Sequence, residues 1–200
     1  MEIKVKHTSE NFKTFRAEKV KSLFNAENGH TWEHTANLPI EDKGWQIGLI
    51  VGPSGSGKTS IGKQIWDSGI TNLTEGWNPS LPIIEDISPD KSMNEVTSAL
   101  SAVGLGDVPA WLRPFKVLSN GEQFRAGLAR LICEAPNKVI VDEFTSVIDR
   151  QIAKIGASAF AKAWRRTPKK QIILLSCHYD IIEWLQPDWV YDTRVSEVKK

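Results

Sequence analysis

Three short stretches of the chain are apolar without a break: residues 46–51 (QIGLIV), 138–142 (KVIVD) and 171–176 (QIILLS). Each is rich in β-branched residues and none alternates apolar with polar. That pattern predicts strands buried on both faces of a mainly parallel sheet. Between them, residues 59–66, 121–134 and 150–166 carry helical patterns. Strands alternating with helices predict an α/β fold. The first 45 residues differ. Residues 15–23 and 32–40 are expected to be strands, with turn chemistry at Asn28-Gly29 and at Asp42-Lys43-Gly44. They predict a small antiparallel sheet beside the main one. Residues 68–117 hold Gly, Pro, Asn and Ser clusters around one expected strand at 81–84 and one helix at 92–103. The expected division is one domain over 1–200. It comprises an antiparallel β-subdomain at 1–45, a core at 46–67 and 135–192, a helical region at 68–134 and a tail at 193–200.

Composition changes this picture little. The 200 residues are 40% hydrophobic and 24% charged, with a formal net charge of +1. No overall field demands nucleic acid or an anionic membrane. No apolar run approaches the roughly 20 residues of a membrane-spanning helix. Behind Met1-Glu2-Ile3-Lys4 there is no apolar signal region. A cytosolic protein is expected, with any membrane role supplied by a partner. Cys133 and Cys177 show no metal-ligand spacing and are expected to be reduced thiols. The eight tryptophans follow no repeat and are expected to serve packing.

The chemistry begins after the first apolar strand. Gly52-Pro53-Ser54-Gly55-Ser56-Gly57-Lys58-Thr59-Ser60 contains G-x-x-x-x-G-K-[ST] and opens a helix. The glycines let the backbone turn its N–H groups inward, and the helix adds its positive end. Lys58 is expected on the β- and γ-phosphates of a nucleotide and Thr59 on Mg²⁺. A second strand ends in Asp142-Glu143. Ligands of open α/β sheets gather beyond the carboxyl ends of the strands. Asp142 is therefore a candidate for Mg²⁺ and Glu143 for the base that activates water. Leu118-Ser119-Asn120-Gly121-Glu122 precedes a helix. Ser119 and Glu122 form an S-x-x-E capping box, and the same geometry makes a second anion site.

With these residues in order, the chain resembles the ABC ATPase family, over roughly residues 15–192. Gly52 to Thr59 is similar to its Walker A loop. LSNGEQFRAGLAR at 118–130 is similar to its signature, with Asn120 where glycine is usual. DEFTSVID at 142–149 is similar to the joined Walker B and D-loop, with Phe144 where proline is common. The resemblance implies a P-loop NTPase fold with a shortened helical subdomain, binding ATP and Mg²⁺. It implies that His178 contacts the γ-phosphate, and that Ser119, Gly121 and Glu122 grip ATP held by an opposite subunit. Asp149 would then lie at the dimer seam. Phe24, or alternatively Trp32, would stack on adenine. The family also carries a glutamine on a loop leaving a strand between Walker A and the signature, and no glutamine lies between Gln64 and Gln123. Glu85 or Asp86, after the expected strand at 81–84, is the expected replacement near the metal. Lys58 and Ser119 lie only about 60 positions apart, so the helical region is short. The resulting expectation is an ATPase working as an ATP-dependent homodimer that switches a protein partner. An ABC transporter subunit and a nucleic-acid-associated ATPase are the alternatives.

Overall fold

The computed structural model describes residues 1–8, 10, 12–24, 31–66, 69–167 and 169–199. In chain order the elements are β1 (Glu2–Thr8), α1 (Phe15–Phe24), β2 (Thr31–Asn37), β3 (Ile47–Val51), α2 (Lys58–Gly62), β4 (Ile70–Thr71), α3 (Ile83–Asp86), α4 (Met93–Ala102) and α5 (Val108–Trp111). They continue with α6 (Asn120–Glu134), β5 (Lys138–Val141), α7 (Arg150–Trp164), β6 (Gln171–Ser176), α8 (Ile181–Leu185), β7 (Trp189–Asp192) and β8 (Glu197–Lys199). The central sheet runs β4-β5-β6-β3-β7-β8, and β1 pairs with β2 in a separate antiparallel ribbon. Every pairing in the central sheet is parallel except that of β8 with β7.

The continuous apolar strands bury both faces, as their pattern requires. Ile47, Leu49, Val51, Val139, Val141, Ile172 and Leu174 face a core closed by α4, α6 and α7. Ile50, Ile140, Ile173 and Leu175 face the opposite core, closed by β1, β2 and α2. Side chains alternate across a strand, so one apolar run serves two layers. The helix over 92–103 forms as α4 within one residue at each end, started by a Ser92–Glu95 capping box.

Several expectations are corrected. Residues 15–23 form helix α1, not a strand. Ala17, Glu18, Lys19 and Leu23 are good helix formers. Thr14 Oγ1 accepts the Ala17 N–H at 3.3 Å, and Lys21 pairs with Glu18 one turn away. The antiparallel ribbon exists, but its first strand is β1. Asn28-Gly29 lies outside the described residues. Residues 81–84 are not a strand either: Pro82 carries no N–H to donate, and the helical turn α3 follows it. The strand in that interval is the two-residue β4, paired with β5. The helix expected over 59–66 is regular only to Gly62, then tightens into turns from Gln64 N to Ile61 O and Ile65 N to Gly62 O. Residues 197–199 of the expected tail add β8 to the sheet. No helix among the described residues is long and apolar enough to cross a membrane.

The tightest approach in the sheet is at Gly48, where a Cβ would meet the Trp189 ring at 2.1 Å. Trp189 is itself buried and edge-on to Trp45. Gly48→Ala is expected to cost about 1–3 kcal/mol by overpacking. Urea denaturation checks this, and an unchanged midpoint would mean the ring has room to move.

Candidate functional site

The phosphate loop links β3 to α2. Gly57 takes φ +87° just before the helix, and a Cβ there would lie 2.3 Å from the Trp32 ring. Glycine is thus required twice over, by backbone conformation and by the close indole. Lys58 Nζ donates back to the carbonyls of Gly52 and Pro53, at 2.8 and 2.7 Å. Burial lowers the Lys58 pKa below the usual lysine range, while nearby Cys177 and Asp142 push it back up.

Thr59 Oγ1 donates to Asp142 Oδ2 at 2.7 Å. One hydrogen bond therefore joins the helix after the phosphate loop to the end of β5. Asp142 Oδ1 accepts the Glu143 N–H at 2.8 Å. Glu143 and Thr145 both adopt positive φ, +52° and +67°. Such conformations cost on the order of 1–3 kcal/mol for residues other than glycine. Between them Phe144 is fully buried, against Phe124 of α6 and Phe160 of α7. Thr145 Oγ1 lies 3.4 Å from His178 Nδ1. The His178 N–H donates to Ser176 Oγ, which in turn donates to the Phe144 carbonyl. The loops after β5 and β6 are thus tied to each other.

A cleft of about 280 Å³ lies between the ends of β4 and β5 and the start of α6. Asn72, Asn120, Asp142, Glu143 and Thr145 line it. Neither Glu85 nor Asp86 does. Asp86 instead accepts the Asn78 N–H at 2.8 Å within its own loop. The first residue beyond β4 is Asn72. The missed signal was β4 itself, which is too short to leave an apolar pattern.

A second cleft, about 410 Å³, is lined by His7, Trp32, Gly55, Gly57, Lys58, Thr59 and Ser60. Trp32 stacks with His7 and His34, at centroid distances of 5.7 and 5.4 Å. His7 Nε2 lies 2.8 Å from Ser60 Oγ, and His34 Nε2 lies 2.8 Å from the Tyr191 hydroxyl. The β1–β2 ribbon is thereby fastened to α2 and to β7. Phe24 is absent from this cleft and ends α1 with 76% exposure.

Ser119 caps α6: its oxygen accepts the Glu122 N–H at 3.4 Å, and Glu122 Oε2 accepts the Ser119 N–H at 2.7 Å. That backbone bond, with the Ser119 hydroxyl, lowers the Glu122 pKa. Gly121 is buried against Ile152. Asp149 caps α7 through the N–H groups of Gln151 and Ile152.

With this geometry in view, the relatives are informative. No family model matches the chain. Over 189 residues it is 28% identical to the 2-aminoethylphosphonate import ATP-binding protein PhnT of Salmonella typhimurium, covering 78% of this chain and 50% of PhnT. Over 132 residues it is 33% identical to the inner membrane ABC transporter ATP-binding protein YddA of Escherichia coli, covering 52% of this chain and 22% of YddA. The chain thus spans about half the length of PhnT or less of such relatives. The dimeric ABC transporter cassette MJ0796 superposes with TM-score 0.61 at 16% identity, covering 96% of this chain and 94% of that one. Its post-hydrolysis form with ADP and Pi gives 0.62, also at 16% identity, over 100% and 97%. The fold is that of an ABC-type ATPase cassette. In this fold the phosphate loop, the β5 carboxylates and His178 stand at consecutive strand ends along one edge of the sheet.

Burial lowers the pKa of His178. The Arg150 cation lowers it further, and Asp180 opposes both. The neutral ring is therefore favoured. Its contribution is present above the ordinary histidine value of about 6.5 and is lost as pH falls through the lower folded value. An NMR titration should find His178 below about 6.5, moving up in Arg150→Ala, which removes a cation and frees Asp180. Titration at or above 6.5 in the unmodified protein would contradict this.

Proposed function

We propose that the chain binds and hydrolyses Mg-ATP, two copies enclosing the nucleotide between them. The observation that carries this reading is the 2.7 Å bond from Thr59 to Asp142, which joins a phosphate loop to a carboxylate pair. Lys58, held on two loop carbonyls, is poised to exchange them for phosphate oxygens. The inward loop and the start of α2 would cradle the phosphates from Gly52 to Ser60. Thr59 and Asp142 offer adjacent hard oxygens, which suit Mg²⁺ completed by water and phosphate. When bound, Mg²⁺ would neutralise phosphate charge. Glu143, beside Asp142 and exposed, is suited to orient and deprotonate the attacking water. His178 would contact the γ-phosphate from the next strand end. Trp32, with His7 beside it, supplies the aromatic wall for the base in place of Phe24.

Within one chain Ser119 and Asp149 are capping positions and Gly121 packs against Ile152; a second chain's nucleotide is their proposed further role. Closure would depend on contacts that exist only with the γ-phosphate, which is the differential affinity a switch requires. Glu143→Gln is expected to accumulate an ATP-bound dimer on gel filtration, whereas Lys58→Ala should abolish binding or hydrolysis. A Glu143→Gln protein that stays monomeric at saturating Mg-ATP would remove the dimer from this reading.

The partner of the switch has two candidates. The matched relatives PhnT and YddA are named as import and transporter ATP-binding proteins, which supports a membrane subunit. The short helical region, with α4 and α6 as its only helices of ten or more described residues, supports a soluble partner. Co-purification with detergent-solubilised membrane protein would separate them.

Asn72 is proposed as the loop residue that replaces the family glutamine. Its Oδ1 is taken by the N–H groups of Thr74 and Glu75, which orients the amide. Asn72→Ala should lower turnover, and the Glu85→Ala/Asp86→Ala double variant should leave it unchanged. The reverse result would return the role to the acidic pair.

A further inference from the structure

The end of β7 touches both loops that are proposed to meet the triphosphate. Thr193 continues the β7 ladder, its N–H donating to Val51 O at 2.9 Å. Thr193 is 8% exposed. Thr193 Oγ1 lies 2.7 Å from Ser56 Oγ and 3.3 Å from Val51 O. The same oxygen would stand 1.8 Å from a Cβ placed on Gly52. Thr193 therefore presses on the first residue of the phosphate loop and bonds to its fifth.

The residues on either side of Thr193 reach the other loop. Asp192 Oδ1 accepts from the Tyr179 hydroxyl at 2.9 Å, and Tyr179 directly follows His178. Arg194 donates to Asp192 Oδ2 at 2.9 Å, and its guanidinium lies 4.1 Å from the centre of the Tyr179 ring. Tyr179 is thus held at its edge by a carboxylate and on its face by a cation. Opposite, Thr145 holds the His178 ring. The end of β6 also meets both loops, since Ser176 accepts the Gly52 N–H on its carbonyl and the His178 N–H on its hydroxyl, but the β7 end reaches both through the side chains of Asp192 and Thr193.

We propose that Asp192, Thr193 and Arg194 form a brace that sets the phosphate loop and the His178 loop at a fixed separation. This rests on the ATPase reading of the same site. Thr193 is a positioning residue for nucleotide affinity, because it holds Ser56 and Gly52 in the form that turns loop N–H groups inward. Asp192 and Arg194 position His178 through Tyr179 and so act on turnover. Preorganised donors are worth most when they need no rearrangement at the moment of reaction. The two ends of the brace therefore separate kinetically.

Thr193→Val keeps the side-chain volume and removes one hydroxyl. It should weaken binding of a fluorescent ATP analogue with Mg²⁺ by about five- to tenfold, the range of one lost hydrogen bond. The thermal midpoint should stay unchanged and Thr193→Ser should restore affinity. Tyr179→Phe should lower kcat several-fold with analogue affinity intact. In a double-mutant cycle, Thr193→Val with Ser56→Ala should bind no worse than the weaker single variant. Additive losses, no rescue by serine, or wild-type affinity in Thr193→Val would overturn the brace alone, provided Lys58→Ala loses binding or hydrolysis. A Lys58→Ala protein that binds and hydrolyses ATP as the unmodified protein does would overturn the ATPase reading, and the brace with it.

Discussion

Parallel pairing of β5, β6, β3 and β7 is the constraint on which the site depends. Their carboxyl ends fall on one edge, so every loop that leaves them starts beside the next. The ladder continues past the strands and fixes where each loop begins. Asp142 N donates to Thr71 O, Phe144 N to Leu175 O, Gly52 N to Ser176 O and Thr193 N to Val51 O. The bond between Thr59 and Asp142 forms across this edge, between residues 83 positions apart. Buried backbone groups must be paired, so the loops cannot drift without breaking bonds that water does not replace.

The turn after β5 shows what holds a strained segment in such an edge. Two residues there take positive φ, at on the order of 1–3 kcal/mol each. The residue between them, Phe144, is fully buried, and burying an aromatic of this kind is worth about 1.5–3 kcal/mol. Two such residues together cost about 2–6 kcal/mol, more than one buried aromatic returns, so burial alone does not carry the strain. Hydrogen bonds from Ser176 and Ser146 to this turn, and from Arg150 to the Thr145 carbonyl, make up the difference. Phe144 stands where the resembling family commonly has proline. Proline would stiffen the turn through its ring, whereas phenylalanine stiffens it through a socket made by α6 and α7. The packing of Phe144 on Phe124 also joins the Glu143 turn to the helix that Ser119 starts.

The parts legible in the sequence were those with dense local signals. Continuous apolar runs at 46–51, 138–142 and 171–176 fell on β3, β5 and β6, because burial on both faces leaves no other pattern. Serine and glutamate three apart marked the start of α6, because a capping box is satisfied within one turn. The misses were elements whose stability is borrowed. β4 has two residues and exists through β5, so Asn72, the proposed loop residue, leaves no signal, and the expectation fell on Glu85 or Asp86, 13 and 14 positions later. β1 alternates Ile3 and Val5 inward among charged neighbours, and needs β2 and α2 to hold it. β7 and β8 carry the brace at Thr193, yet no motif distinguishes a threonine whose partner lies 137 positions away.

The helix start at Ser119 poses an electrostatic condition for any second chain. Its anion position is already filled, because Glu122 folds back onto the Ser119 N–H with a carboxylate whose pKa is lowered. The positive end of α6 thereby meets a negative charge in the single chain. A triphosphate approaching that turn meets a like charge first. Contact of an anion with the Ser119 N–H would require Glu122 to leave the capping box, which frees that one backbone donor. The exchange trades one charge-assisted bond for another, so its net free energy is small beside either bond alone. In the proposed dimer, the signature turn would therefore take up an anion only in exchange for the Glu122 carboxylate.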